Sequence, residues 1–284
     1  MSFLGLSYSE IYTNVDTNNR GNPMAKRRLS AATIAAQAGG YIDQASGGVV
    51  PPIQPSTTFV RDRDYAPHAS GNIYARDDSD TVQIAENILA QLDAAQAALL
   101  FPNGMAAIAA VFRALPTGAT VLVQAQIYWG TTKWVRDFCN RRGMVLVEGD
   151  LSKLDIIEKL CAHHEPNMVF IETPSNPWLR CTDIAHAAKT VHNVGGRLVV
   201  DATAATPILT RVLDFGADIV MHSATKGLNG HSDVLAGVLA TNETESPHWK
   251  AILMDRHDAG AVIGSFEAWL LIRSLRTLHL REEK

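Results

Sequence analysis

From Thr81 onwards the chain alternates between a helical and a strand period, and few folds accept that pattern. Residues 82–92 read as a helix with Val82, Ala85, Ile88 and Leu89 on one face. Residues 97–101 form a short apolar strand and residues 105–115 a second helix. Further apolar strands are predicted at 120–124, 144–148, 168–172 and 197–201, separated by helical segments such as 183–193. Short connections between such elements specify βαβ units, hence an α/β fold with a mostly parallel sheet covered on both faces.

The flanks of this region read differently. Residues 1–23 contain no apolar stretch and no cleavage site of a signal peptide, and are rich in Asn, Ser, Thr and Tyr. They are expected to be a disordered extension, with Met24 a second start. Residues 24–76, with the run Gly47-Gly48-Val49-Val50-Pro51-Pro52-Ile53, read as an arm lying over something else. Residues 77–264 carry the sheet and its helices. Residues 265–283 form a continuous amphipathic pattern with Trp269, Ile272, Leu275 and Leu278 on its apolar face, and the sequence stops inside it without a stop signal.

Composition narrows the function classes. The 284 residues are 46% hydrophobic and 19% charged, with net charge −4, enough for one large core or two modest ones. Mild acidity gives no reason to expect nucleic-acid binding. No apolar run reaches the roughly 18 residues of a membrane span. Cys139, Cys161 and Cys181 are odd in number and lack C-x-x-C spacing, so a reduced, cytoplasmic protein with half-buried thiols is expected.

The chemistry centres on Lys226, in Met221-His222-Ser223-Ala224-Thr225-Lys226-Gly227. Upstream, Leu198-Val199-Val200-Asp201 is a buried strand ending in a carboxylate. An amine for an aldehyde, hydroxyls at Ser223 and Thr225 for a phosphate and a carboxylate for a ring nitrogen suggest a pyridoxal phosphate site. Asp201 lies at a strand's carboxyl end, where doubly wound sheets bind ligands. Gly104 and Met105 open a helix behind Asn103, and the bare N–H groups there suit phosphate oxygens. Tyr128 follows the 120–124 strand at the same edge. A metal reading of His163, His164 and Cys161 fails for want of further ligands at usable spacing, and His222, His231 and His279 read as structural or surface residues.

Taken in order, Gly104-Met105-Ala106-Ala107, Tyr128, Glu172-Thr173-Pro174-Ser175-Asn176-Pro177, Asp201-Ala202-Thr203 and Ser223-Ala224-Thr225-Lys226 make the chain resemble the Cys/Met-metabolism PLP enzymes. That family includes cystathionine gamma-synthase, cystathionine beta-lyase and gamma-lyase, and the sulfhydrylases. The likeness runs from about Leu29 to the last residue. It implies the aspartate-aminotransferase-like fold type I, pyridoxal 5'-phosphate as cofactor, and a sulfur amino acid or an activated homoserine as substrate. It also implies a homodimer with shared sites, likewise paired into a dimer of dimers. Lys226 would form the Schiff base and move the Cα proton, and Asp201 would keep the pyridine nitrogen protonated. Thr203 would lie beside the ring, Tyr128 would stack on it and Asn176 would bond its 3-hydroxyl. Tyr74 and Arg76, in Tyr74-Ala75-Arg76, would reach the neighbour's phosphate.

The chain departs from the family pattern at Ala202 and Ala204 around the ring, at Trp129 beside Tyr128, and at Ser79-Asp80-Thr81 after Arg76. Family members continue into a smaller C-terminal domain that carries the arginine for the substrate carboxylate, so residues 265–284 read as the start of a helix leading to an absent domain. Its apolar face is then expected to stay wet. β- and γ-chemistry remain open. So do the competing readings: a truncated cofactor-binding scaffold with little or no turnover, and a fold type I aminotransferase or desulfurase.

Overall fold

Ala98 and Leu100 of strand β1 (Ala97–Phe101) enter one hydrophobic core, while Leu99 and Phe101 enter another. A strand's period of two separates them, so each side chain finds a core whichever way it points. The computed structural model describes residues 29–68 and 71–283 and repeats this arrangement across one sheet. The expected extension over 1–23 and the start at Met24 lie outside the described residues. The other strands are β2 (Thr120–Gln124), β3 (Val145–Gly149), β4 (Met168–Glu172), β5 (Arg197–Asp201), β6 (Ile219–His222) and β7 (Gly237–Thr241). They form a seven-stranded sheet in the order β1-β7-β6-β5-β4-β2-β3. Neighbours from β6 to β3 are parallel, and β7 runs antiparallel to both β1 and β6.

The sheet is therefore mixed but mostly parallel, in an α/β architecture. β3 begins one residue later than the patterning predicts. β6 and β7 are not predicted at all: β6 is a four-residue run merged with the Ser223-Lys226 segment, and β7 opens with a glycine. Gly237 is required there. A Cβ on it would sit 2.3 Å from the Asn103 carbonyl oxygen, so β7 and the turn after β1 approach closer than any side chain allows.

One sheet face is covered by α1 (Ala31–Ala36), α2 (Asp80–Asp93), α5 (Leu154–His164), α6 (Ile184–Asn193), α9 (Ser265–Leu275) and α10 (Leu278–Glu282). The other is covered by α3 (Gly104–Arg113), α4 (Trp129–Arg142) and α8 (Pro247–Ala259). A short helix, α7 (Thr206–Leu209), follows β5. Helix starts follow the side chains: Asn103 Oδ1 accepts the Ala106 N–H, Asp183 the His186 N–H and Ser246 the Trp249 N–H. Cys139 and Cys161 are fully buried within this packing and Cys181 is exposed, so none is half-buried as expected. Burial pushes the Cys139 and Cys161 thiols up to about 11.

The arm is strapped to α2 and α9 through its backbone. Thr81 Oγ1 donates to Pro52 O and accepts the Gln54 N–H, while the Asp80 N–H is held by Gln54 Oε1. Trp269 Nε1 donates to Pro51 O at 2.9 Å and Arg276 to Val49 O at 2.7 Å. Asp80 and Thr81, which depart from the family pattern, thus serve as anchors for this chain's own arm.

Two expectations about the C-terminal region need correction. The helix is not continuous: α9 ends at Leu275 and α10 begins at Leu278. Its apolar face is not wet either, because Ile272, Leu275 and Leu278 are at most 2% exposed against α2 and its neighbours. Trp269 serves the arm instead. Leu275→Ala is therefore expected to cost about 2–5 kcal/mol in urea unfolding, whereas Phe266→Ala, at an exposed position, stays within about 0.5 kcal/mol. Equal effects at the two positions would mean that the Leu275 face is solvated.

Candidate active site

Asp201 and Glu172 end neighbouring parallel strands and stand opposite each other in register. Val199 and Phe170, two residues earlier, pack into the α3–α4–α8 core, so the alternation sends both carboxylates to that side. Asp201 is 6% exposed. Its Oδ1 accepts the Thr203 N–H at 3.0 Å and the Thr203 hydroxyl at 2.5 Å. Burial pushes the carboxyl above its usual range, against the Thr203 hydrogen bonds and the attraction of His222. Thr203 Oγ1 in turn accepts the Ser223 N–H at 2.8 Å, which ties the end of β5 to the turn after β6.

That turn carries Lys226. Its N–H donates to Ser223 O at 3.0 Å, and Gly230 N–H closes on Lys226 O at 2.7 Å. The Lys226 side chain is exposed and lines an open cleft of about 640 Å³ with Thr225, Gly227, Gly230, Ser232, Asp233, Val234 and Leu235. Desolvation of the amine therefore depends on what fills the cleft. Thr225 Oγ1 donates to Ala236 O and accepts the Ala236 N–H, so its proton is already engaged within the loop.

Gly104 meets the same turn from the other side. A Cβ on Gly104 would lie 2.9 Å from Ser223 Cβ and Oγ, so only glycine brings the start of α3 this close. The Gly104 and Met105 N–H groups occupy the first helical turn, where no intrahelical acceptor exists. An anion held there gains from both the donors and the helix dipole.

Glu172 organises the remaining wall. Its Oε2 accepts the Tyr128 N–H at 2.9 Å and its Oε1 accepts the Asn176 N–H at 2.6 Å. Burial, reinforced by Asp201, pushes its carboxyl up to about 7 despite these two bonds. Tyr128 lies just before α4, about a third exposed, and its ring covers Gly130, where a Cβ would fall 2.5 Å from Tyr128 Cε1. Trp129 stands beside it, exposed, with ring centroids 5.7 Å apart. Asn176 is exposed on a loop whose Thr173-Pro174 and Asn176-Pro177 bonds are both cis.

Lys226, Asp201, Thr203, Ser223, Thr225, Gly104, Met105, Tyr128 and Asn176 thus gather at the carboxyl edge of the parallel strands. Tyr74 and Arg76 do not join them. They belong to the arm, where Tyr74 bridges to Thr58 and the Arg76 guanidinium lies 5.7 Å from the Tyr74 ring. Among the described residues no hydrogen bond or ion pair links either of them to Lys226.

Three participants escape the patterning. The sequence shows Glu172 inside a motif but not its two N–H partners. His222 is fully buried, with Nε2 3.1 Å from both carboxylate oxygens of Asp93. Burial opposes its charge, but Asp93, and more weakly Asp201, outweigh that and raise its pKa. Arg281 donates to Gly227 O at 2.5 Å and to Leu228 O at 3.0 Å, immediately after Lys226. Among the described residues no group of three or more His, Cys, Asp or Glu is placed to hold a metal ion.

A phosphorylated pyridine aldehyde fits this arrangement. Among the described residues Asp201 is a buried carboxylate with no cation bonded to it, α3 offers unpaired N–H groups beside Ser223, and the Lys226 amine has no partner in the adjoining cleft.

The Glu172 shift has a definite sign. An unfolded glutamate ionises near 4.5 and Glu172 near 7, so between those values the folded chain keeps a proton that the unfolded chain releases. Stability contributed by this group is complete below 4.5 and is lost as pH rises through 7. Across that window the cofactor-free wild type is expected to lose more stability than Glu172→Gln, by on the order of 3 kcal/mol. Urea titrations at stepped pH read this difference, and parallel curves would refute it.

Comparison with known proteins shows the family and agrees with the fold. A family model described as Cys/Met metabolism PLP-dependent enzyme matches residues 32–284. The chain is 38% identical over 256 residues to a cystathionine gamma-lyase of Saccharomyces cerevisiae, covering 88% of this chain and 63% of that protein. It is 36% identical over 251 residues to a cystathionine gamma-synthase/O-acetylhomoserine (thiol)-lyase of Bacillus subtilis, covering 88% and 65%. Among solved structures, the cystathionine gamma synthase from Xanthomonas oryzae pv. oryzae in complex with cystathionine superposes with a TM-score of 0.83 at 34% identity, over 89% of this chain and 64% of that one. The chain spans less than two thirds of the length of each of these relatives. With the family match covering nearly all described residues, the chain belongs to the Cys/Met metabolism PLP-dependent enzymes.

Proposed function

We propose that this chain is a pyridoxal phosphate-dependent transsulfuration enzyme, acting on cystathionine, a related sulfur amino acid or an O-acylhomoserine. The observation that carries the reading is the continuous link from buried Asp201 through Thr203 and Ser223 to the Lys226 turn, with the start of α3 closed against Ser223. When bound, the cofactor supplies an electron sink for charge developing at the substrate Cα.

The protein's own groups do the rest. Lys226 would hold the cofactor's aldehyde carbon and, when free, would take the substrate Cα proton; its flexible stem lets one amine serve both tasks. Asp201, whose carboxyl burial raises in the cofactor-free chain, would hold the protonated ring nitrogen, and a positive partner there would favour its charged form. The Gly104 and Met105 N–H groups and the Ser223 hydroxyl would hold the phosphate. Thr225 shapes the loop, because its proton goes to Ala236. Tyr128 would wall the ring and Asn176 would bond its 3-hydroxyl. β-Elimination needs only the Cα proton removed; γ-chemistry needs a second removal at Cβ, by Lys226 or Tyr128.

Tyr74 and Arg76 complete a neighbour's phosphate site in a homodimer, consistent with their separation from Lys226 in one chain. Pairing of such dimers and residence in the reducing cytoplasm belong to the same proposal, and the three free cysteines support the latter. Among the described residues no helix is long and apolar enough to cross a membrane.

Borohydride reduction of protein loaded with cofactor is expected to label Lys226, and Lys226→Ala is expected to abolish the label. Unchanged labelling would remove Lys226 from the mechanism. Arg76→Ala should weaken cofactor retention by about 1.5–3 kcal/mol, the scale of a charge-assisted hydrogen bond. Mixing Arg76→Ala with Lys226→Ala protein should restore intact sites in hybrid dimers; hybrids that form without recovery would place Arg76 in its own subunit's site. Cofactor uptake without turnover of cystathionine or O-acylhomoserine would favour a cofactor-binding scaffold.

A further inference from the structure

Glu172 carries none of the chemistry assigned above, yet its carboxylate joins two walls of the site. One oxygen accepts the N–H of Tyr128, just before α4, and the other accepts the N–H of Asn176, on the loop after β4. The backbone of Glu172 is itself held, its N–H donating to Gln124 Oε1 at 3.2 Å. The side chain is buried, so water does not compete for either bond. An ionised carboxylate accepts at both oxygens. A neutral amide or acid turns an N–H or O–H toward one of the two donors, so only one bond survives.

We propose that Glu172 is a positioning residue whose carboxylate couples the Tyr128 turn to the Asn176 loop and thereby sets the gap that receives the amino-acid substrate. What the gap holds rests on the transsulfuration reading; the coupling of two segments through one side chain does not. Burial beside Asp201 makes an ionised Glu172 unfavourable to the fold. A carboxylate retained under that penalty is explained by what it arranges, since strained groups concentrate where function needs them.

Hydrogen exchange read by mass spectrometry tests the coupling, first on the cofactor-free protein at pH 8. In Glu172→Gln, peptides covering 126–132 and 174–180 are both expected to exchange faster, about tenfold in the segment that loses its hydrogen bond and less in the one still held by the neutral amide oxygen. The urea midpoint at that pH should be no lower than in the wild type. Glu172→Asp, one methylene shorter, should protect at most one of the two segments. In cofactor-loaded protein, Glu172→Gln should raise KM for cystathionine several-fold more than it lowers kcat.

Unchanged exchange in both segments, or a lowered midpoint with faster exchange along the whole chain, would overturn the coupling. Faster exchange in both segments with KM unaltered would overturn the substrate part. If the wild type neither takes up cofactor nor turns over substrate, the transsulfuration reading falls, while the exchange experiment still decides what Glu172 does.

Discussion

Two buried carboxylates at neighbouring strand ends, Glu172 and Asp201, constrain everything around them. Adjacent like charges taken out of water raise each other's proton affinity, so the fold must surround them with donors or lose them as charges. It surrounds them with backbone N–H groups from Tyr128 and Asn176 and with the doubly bonded Thr203. Those donors come from three separate connections, and meeting the need for them brings the connections together. The geometry of the site is therefore largely a consequence of satisfying two carboxylates.

The opposite face of the sheet adds a second constraint. His222 is the residue before Ser223, and the strand alternation turns it toward α2, where Asp93 holds it. β6 is thus pinned from below by the His222–Asp93 pair and at its end by Thr203 with Ser223. The Lys226 turn starts from a residue fixed on both sides. A loosely held strand end would leave a flexible lysine to search for its partner, with the loss of effective concentration this entails.

Much of this was legible in the sequence because a polar residue closing an apolar run has a definite place. Asp201 after Leu198-Val199-Val200 read as the close of a strand, where it stands, and five strands with their intervening helices followed from the same periodicity. What escaped was decided by partners distant in the chain. Glu172 is matched by residues at 128 and 176, and Asp93 by a histidine 129 residues later. β7 carries no pattern distinct from a loop until β1 and β6 flank it. The break at Arg276 and Thr277 has neither glycine nor proline to announce it.

The break sets Arg281 against the Lys226 turn. With the first helix ended at Leu275 and the next begun at Leu278, Arg281 donates to Gly227 O, Leu228 O and Ser274 O, and its Nε to Thr277 Oγ1. The carbonyls just beyond Lys226 are thus satisfied by the C-terminal turn, and a Cβ on Gly230 would fall 1.9 Å from Arg281 Nη1. Gly230 is glycine for that reason as well as for its positive φ. The Lys226 turn and α10 are thereby tied together: displacing α10 would strip partners from Gly227 and Leu228, and reshaping the turn would unseat Arg281.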